Sequence, residues 1–144
     1  MIAAEVQHFL GRARDFRKGM ECLGREEEYI LNDEIVKFRY SRALLCIHCA
    51  MSYSDALRTG MGSPNLSSED HSKAASDLES LLRSRNFENR KGIGHLKNLL
   101  GMKNRIAYAP VTVRGNEVED AVKQTERFAD WAEEAGRKLK IEGW

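Results

Sequence analysis

The feature that most restricts the fold of this chain is how little interrupts its helix-favouring runs. Only two prolines occur, Pro64 and Pro110, and each sits in a Gly-rich or polar stretch where a helix would end in any case. The remaining tracts are rich in Ala, Leu, Glu, Lys and Arg, side chains that lose little rotamer freedom in a helix. Apolar residues within them recur at helical spacing. Val6, Phe9, Leu10, Ala13, Phe16, Met20 and Leu23 fall on one face of a first helix, expected from about Ile2 to Leu23.

A second helix is expected from a cap at Asn32 or Asp33, whose side chains accept from orphan backbone N–H groups, to about Leu57. It is apolar on two sides, with Ile35, Phe38, Leu45, Cys49 and Ala56 on one and Tyr40, Leu44, Ile47 and Met51 on the other. Such a helix sits centrally, against several neighbours. Thr59 to Asn65 reads as a loop by its glycines and proline. A short third helix starts at Ser67 or Ser68, with Glu69 and Asp70 in its first turn, and buries Ala74, Ala75, Leu78, Leu81 and Leu82. A basic loop from Arg83 to Gly94 precedes a fourth helix, His95 to Tyr108, stopped by Pro110.

Asn116, with Glu119 three residues on, opens the last helix in a capping-box pattern. Its stripe is Val118, Ala121, Val122, Thr125, Phe128, Ala129, Ala132, Ala135 and Leu139. The stretch Pro110 to Val113 is the one short candidate strand. The expected fold is therefore all-α: an up-and-down four-helix bundle plus one short extra helix, in a single domain over residues 1–144. With 42% apolar residues, a chain of this length can bury a self-sufficient core.

A net charge of +1 excludes a polyanion binder that acts through its overall field. The distribution is uneven. Arg83, Arg85, Arg90, Lys91, Lys97, Lys103 and Arg105 face only Glu88 over residues 83–105, whereas Glu21, Glu26, Glu27, Glu28, Asp33 and Glu34 face only Arg25. The basic segment makes Arg83, Arg85, Arg90, Lys91 and Lys97 candidate nucleic-acid contacts. No apolar stretch reaches membrane-spanning length, and Glu5, His8, Arg12 and Arg14 break any signal-peptide core. Three cysteines without export signals imply reduced thiols and a cytoplasmic setting.

Cys46-Ile-His-Cys49 has the residue types of a metal or redox motif. On a helix the two cysteines share a face and His48 diverges, and no second pair completes a four-ligand zinc site. Core packing of the cysteines is expected, with neither a metal nor another cofactor. Asp70-His71-Ser72 cannot form a hydrolytic triad, because neighbouring helix positions diverge. His8 and His95 have no visible partners.

The fourth helix is the most informative segment. Leu99-Leu-Gly-Met-Lys-Asn-Arg-Ile-Ala-Tyr108, followed by Ala-Pro, resembles the motif helix of the HEPN family of helical RNA-associated domains. Tyr40-Ser-Arg-Ala-Leu-Leu-Cys-Ile-His-Cys-Ala50 resembles that family's central helix, and Glu126-Arg-Phe-Ala-Asp-Trp-Ala132 its closing helix; the likeness covers about 32–139. The family carries Arg, often followed by Asn, and then His. Its members bring both residues together from two subunits to cleave RNA without a metal. Asn104 matches, but Lys103 stands where Arg is expected and Tyr108 where His is expected. Lysine lacks the planar fork that grips phosphate at two points, and a phenol is a poor general base at neutral pH.

The resemblance thus implies a homodimer that binds RNA, a nucleotide or an antitoxin-like protein partner. Its cleft would be built on Lys103, Asn104, Arg105 and Tyr108, with no residue assigned to catalysis. Two other readings stand beside it. One is a metal-independent ribonuclease in which Tyr108 replaces the His. The other is a protein-interaction module using the acidic segment near Glu26–Glu28 or an exposed helix stripe.

Overall fold

In the computed structural model, residues 2–25, 29–31, 34–36, 38–64, 73–110 and 112–144 are described. Five helices account for most of them: α1 (Ile2–Arg25), α2 (Arg39–Gly60), α3 (Ala74–Ser84), α4 (Gly92–Ala107) and α5 (Gly115–Lys138). Cross-helix pairs fix their directions. Phe16 meets His48 and Gly24 meets Arg42, so α1 and α2 are antiparallel. Arg42 bonds Glu119 and Tyr53 bonds Glu133, so α2 and α5 are parallel. Asn98 bonds Gln124 while Gly92 lies against Trp131, so α4 runs antiparallel to α5. The four long helices therefore alternate up and down, and short α3 caps one side against α2 and α4.

The apolar breadth of α2 is explained by its position, because it packs against all four other helices. Cys46, Cys49, Ala50, Tyr53, Ala56 and Leu57 are buried there against Val6, Leu10, Ala13 and Met20 of α1 and Phe128, Ala129 and Ala132 of α5. Most of the stripes expected for α1 and α5 are core, with Phe9, Phe16, Val122 and Leu139 at its margin. A second, smaller cluster joins Ala43 and Ile47 of α2, Ile106 of α4, Val118 of α5 and Val113 of the connecting segment. Small residues permit the closest approaches. A Cβ on Gly92 would stand 2.3 Å from the Trp131 ring, whose Nε1 donates to the Asn89 carbonyl at 2.9 Å.

Two buried polar clusters are tied across helices, which offsets their desolvation. Tyr53 donates to Glu133 Oε1 at 2.8 Å, and the same carboxylate accepts two bonds from Arg14. Arg58, buried at the end of α2, donates to Asp77 of α3 at 2.7 Å, and the Ser63 hydroxyl donates to the same carboxylate at 2.6 Å.

Several element boundaries differ from expectation. The second helix begins at Arg39 and not at Asn32 or Asp33, which lie outside the described residues. Upstream of it, Tyr29–Leu31 (β1) and Glu34–Val36 (β2) form a short antiparallel ladder with Ile30 opposite Ile35. The β-branched and aromatic residues there suit a strand, and Phe38, at φ 51°, turns the chain into α2. The fourth helix starts at Gly92, earlier than His95, because Ile93 and Leu96 both join the core. Ser67, Ser68, Glu69, Asp70 and His71 lie outside the described residues. Val113 is buried in irregular backbone and forms no strand. At the start of α5 the backbone of Arg114 donates to Glu117, so Glu117 takes the role expected of Glu119. Glu119 instead pairs with Arg42.

Candidate functional site

Helical geometry places Lys103, Ile106 and Ala107 on one face of α4, three and four residues apart. That face meets a stripe of α2 at matching spacing, Tyr40, Leu44 and His48. Between them lies an open groove of about 600 Å³, lined by these residues together with Ser41 and Tyr108. Ile106 forms its floor and continues into the smaller core cluster, so both walls are anchored from behind. Tyr40 is 51% exposed and Tyr108 77% exposed. Two large aromatic side chains thus stand in solvent at the rim of one groove.

Lys103 is the cation of the groove, and no carboxylate among the described residues pairs with it. His48 is half-buried, its ring 5.6 Å from that of Phe16 on α1. Burial, reinforced by the charge of Lys103, pulls its pKa below the ordinary histidine value. The imidazole is therefore neutral at pH 7. Chemically, the groove offers aromatic faces, one cation, a hydroxyl at Ser41 and a neutral imidazole that both donates and accepts hydrogen bonds.

The structure brings Lys103 and Tyr108 together and separates them from the other candidates. Arg105, two positions on from Lys103, turns toward α5 and is held by Glu117 through both terminal guanidinium nitrogens. Asn104 is exposed and lies outside the groove lining; its carbonyl caps the helix end by accepting from the backbone of Tyr108 and Ala109. The upstream cations lie nearer the start of α4. At about 1.5 Å per residue, Lys91 is about 18 Å and Lys97 about 9 Å from Lys103 along the helix. Among them Arg83 and Lys97 pair with Glu79, Arg85 donates to the Met61 carbonyl, and Arg90 donates to the Phe87 carbonyl. Lys91 is exposed at the start of the helix.

The cysteines behave as core. Cys46 and Cys49 are fully buried, with Cys46 Sγ 3.2 Å from Met20 Sδ. Burial pushes their thiol pKa values up to about 11 and about 12, and no metal-binding cluster is present among the described residues. His8 accepts from Arg12 at 2.7 Å. What sequence reasoning missed is the second wall of the groove. Tyr40, Leu44 and His48 recur every four residues along α2, and a polar ring on an otherwise apolar stripe was the available signal.

No family model, curated protein or solved structure matches this chain. None of these comparisons points to the HEPN family. Among the described residues no helix is long and apolar enough to cross a membrane.

Proposed function

We propose that the groove between α2 and α4 binds single-stranded RNA or a nucleotide without cleaving it, in a HEPN-like bundle. The observation that carries this reading is the pairing at one groove of two exposed tyrosines with Lys103, which no carboxylate among the described residues engages. Every nucleobase has a face that stacks on an aromatic ring, worth about 1–3 kcal/mol per base. A lysine within the same groove holds the adjoining phosphate. The dimer expected from the HEPN resemblance belongs to this reading, and its check is a mass above that of the monomer at high concentration.

The test is binding of a short single-stranded RNA at low salt to the wild-type protein and to Tyr108→Ala and Lys103→Gln. Tyr108→Ala weakens binding about tenfold, from the loss of one stacked base. Lys103→Gln weakens it and reduces the slope of log affinity against log salt by about 0.7, the share of one phosphate on a single strand. Wild-type affinity in both variants, with loss instead in Arg90→Ala plus Lys91→Ala, moves the interface to the other end of α4. Absence of binding at low salt removes the nucleic-acid reading in favour of a protein-interaction module. Cleavage of the RNA would restore the ribonuclease alternative.

A further inference from the structure

Among the residues lining the groove, His48 is the titratable group that neither the stacking nor the lysine–phosphate contact described above uses. Its imidazole lies between the apolar ring of Phe16 from α1 and the groove that it shares with Lys103 from α4. The polar groups of its own helix that line the groove are Tyr40 and Ser41, two turns earlier, and Tyr108 closes the groove from the end of α4. The charge whose field reaches the ring is Lys103. An empty groove therefore opposes a second positive charge, both through burial and through repulsion from Lys103.

A bound phosphodiester reverses both effects. Its negative charge offsets Lys103, and its oxygens accept a charge-assisted hydrogen bond from the imidazolium. Resting on the binding reading above, we propose that His48 is a conditional second phosphate contact. The groove takes a single phosphodiester, held by Lys103 alone at neutral pH and by Lys103 with His48 in mild acid. A single unit is the class of ligand that fits. Following a long backbone needs a row of cations, and Lys103 is the one lysine or arginine among the residues that line the groove. The pH response follows from reciprocity: a ligand that raises the affinity of His48 for a proton is itself bound more tightly, by the same factor, once the proton is on.

The test uses the dinucleoside monophosphate ApA, whose diester keeps one negative charge throughout the range. Its affinity and the titration of the His48 ring are followed by NMR between about pH 7.5 and about pH 5.5, the window of histidine charging. The expected result is several-fold tighter binding at the acid end and a His48 pKa about one unit higher with ApA bound, a shift that gives the full factor of about ten only well below the unliganded value. His48→Gln is expected to lose the pH response, whatever its affinity at neutral pH. The wild-type ring titration stands without any variant, so misfolding of His48→Gln does not blunt the test. ApA binding that depends on Lys103 and Tyr108 but is flat with pH overturns the role of His48 alone. A pH response that persists in His48→Gln does the same. No ApA binding at any pH overturns the binding reading together with it.

Discussion

Removing one oxygen from the interior, by Tyr53→Phe, tests the junction where α1, α2 and α5 meet. The Tyr53 side chain is 1% exposed, and its hydroxyl donates to Glu133 Oε1 at 2.8 Å. Phenylalanine fills the same space, so no cavity term arises. A hydrogen bond to a charged acceptor contributes about 1.5–3 kcal/mol. Glu133 keeps its two bonds from Arg14, which leaves no orphan carboxylate and puts the expected loss at the low end, about 1.5 kcal/mol. Urea unfolding at pH 7 measures it directly.

The pH dependence carries a definite sign. Burial pushes the Glu133 pKa up, but the bonds from Arg14 and Tyr53 outweigh this and hold it below the ordinary value. A depressed carboxylate stabilises the fold above its unfolded pKa of about 4.3 and loses that contribution as pH falls through the folded value. Burial, together with the bond to Glu133, raises the Tyr53 pKa. The neutral phenol is therefore favoured, and its contribution is present below about pH 10 and lost above the folded value. The deficit of Tyr53→Phe should then be constant from about pH 6 to about pH 9 and shrink in acid. A variant as stable as wild type at pH 7, or a deficit unchanged after Glu133→Gln, would refute the argument.

Two glycines of α4 should respond in opposite directions. Gly92→Ala forces a Cβ into the Trp131 ring and should cost about 1–3 kcal/mol as overpacking, read by urea unfolding. Gly101→Ala adds a Cβ with nothing within 4 Å on an exposed helix face and should raise stability by up to about 1 kcal/mol. Asp77→Asn removes the shorter of two carboxylate contacts to Arg58, with Asp55 still 3.4 Å away, so a loss of about 1.5–3 kcal/mol is expected in the same assay. Disulfide-exchange reagents at mild alkaline pH should modify exposed Cys22 quickly in the native protein. Cys46 and Cys49, buried and held protonated, should react only on unfolding, and rapid native reaction of all three would contradict the buried placement.

The fold was legible because its determinants are local. The stripes on α1 and α5 repeat at helical spacing, and Phe128, Ala129 and Ala132 are core as their spacing requires. Helix starts were less legible. Asn32 and Asp33 have capping chemistry, yet the Ile30–Ile35 pairing upstream of Arg39 depends on cross-strand partners that local propensity does not register. The site was half legible. Lys103 and Tyr108 belong to one helix and announce themselves together. Their opposite wall comes from a segment some sixty residues earlier, brought near only by the antiparallel packing of α2 and α4. The basic run from Arg83 to Lys97 looked continuous with Lys103 along the chain. Helix rise, which sets Lys91 about 18 Å and Lys97 about 9 Å from Lys103, and the pairing of Lys97 with Glu79 separate the two.

The measurement that bears most directly on the central claim is NMR mapping of a short single-stranded RNA on the isotopically labelled protein at low salt. The account predicts shift changes concentrated at Tyr40, His48, Lys103 and Tyr108, with Lys91 and its neighbours at the start of α4 unmoved. Shifts confined to the segment from Arg83 to Lys97, or none anywhere, would contradict it.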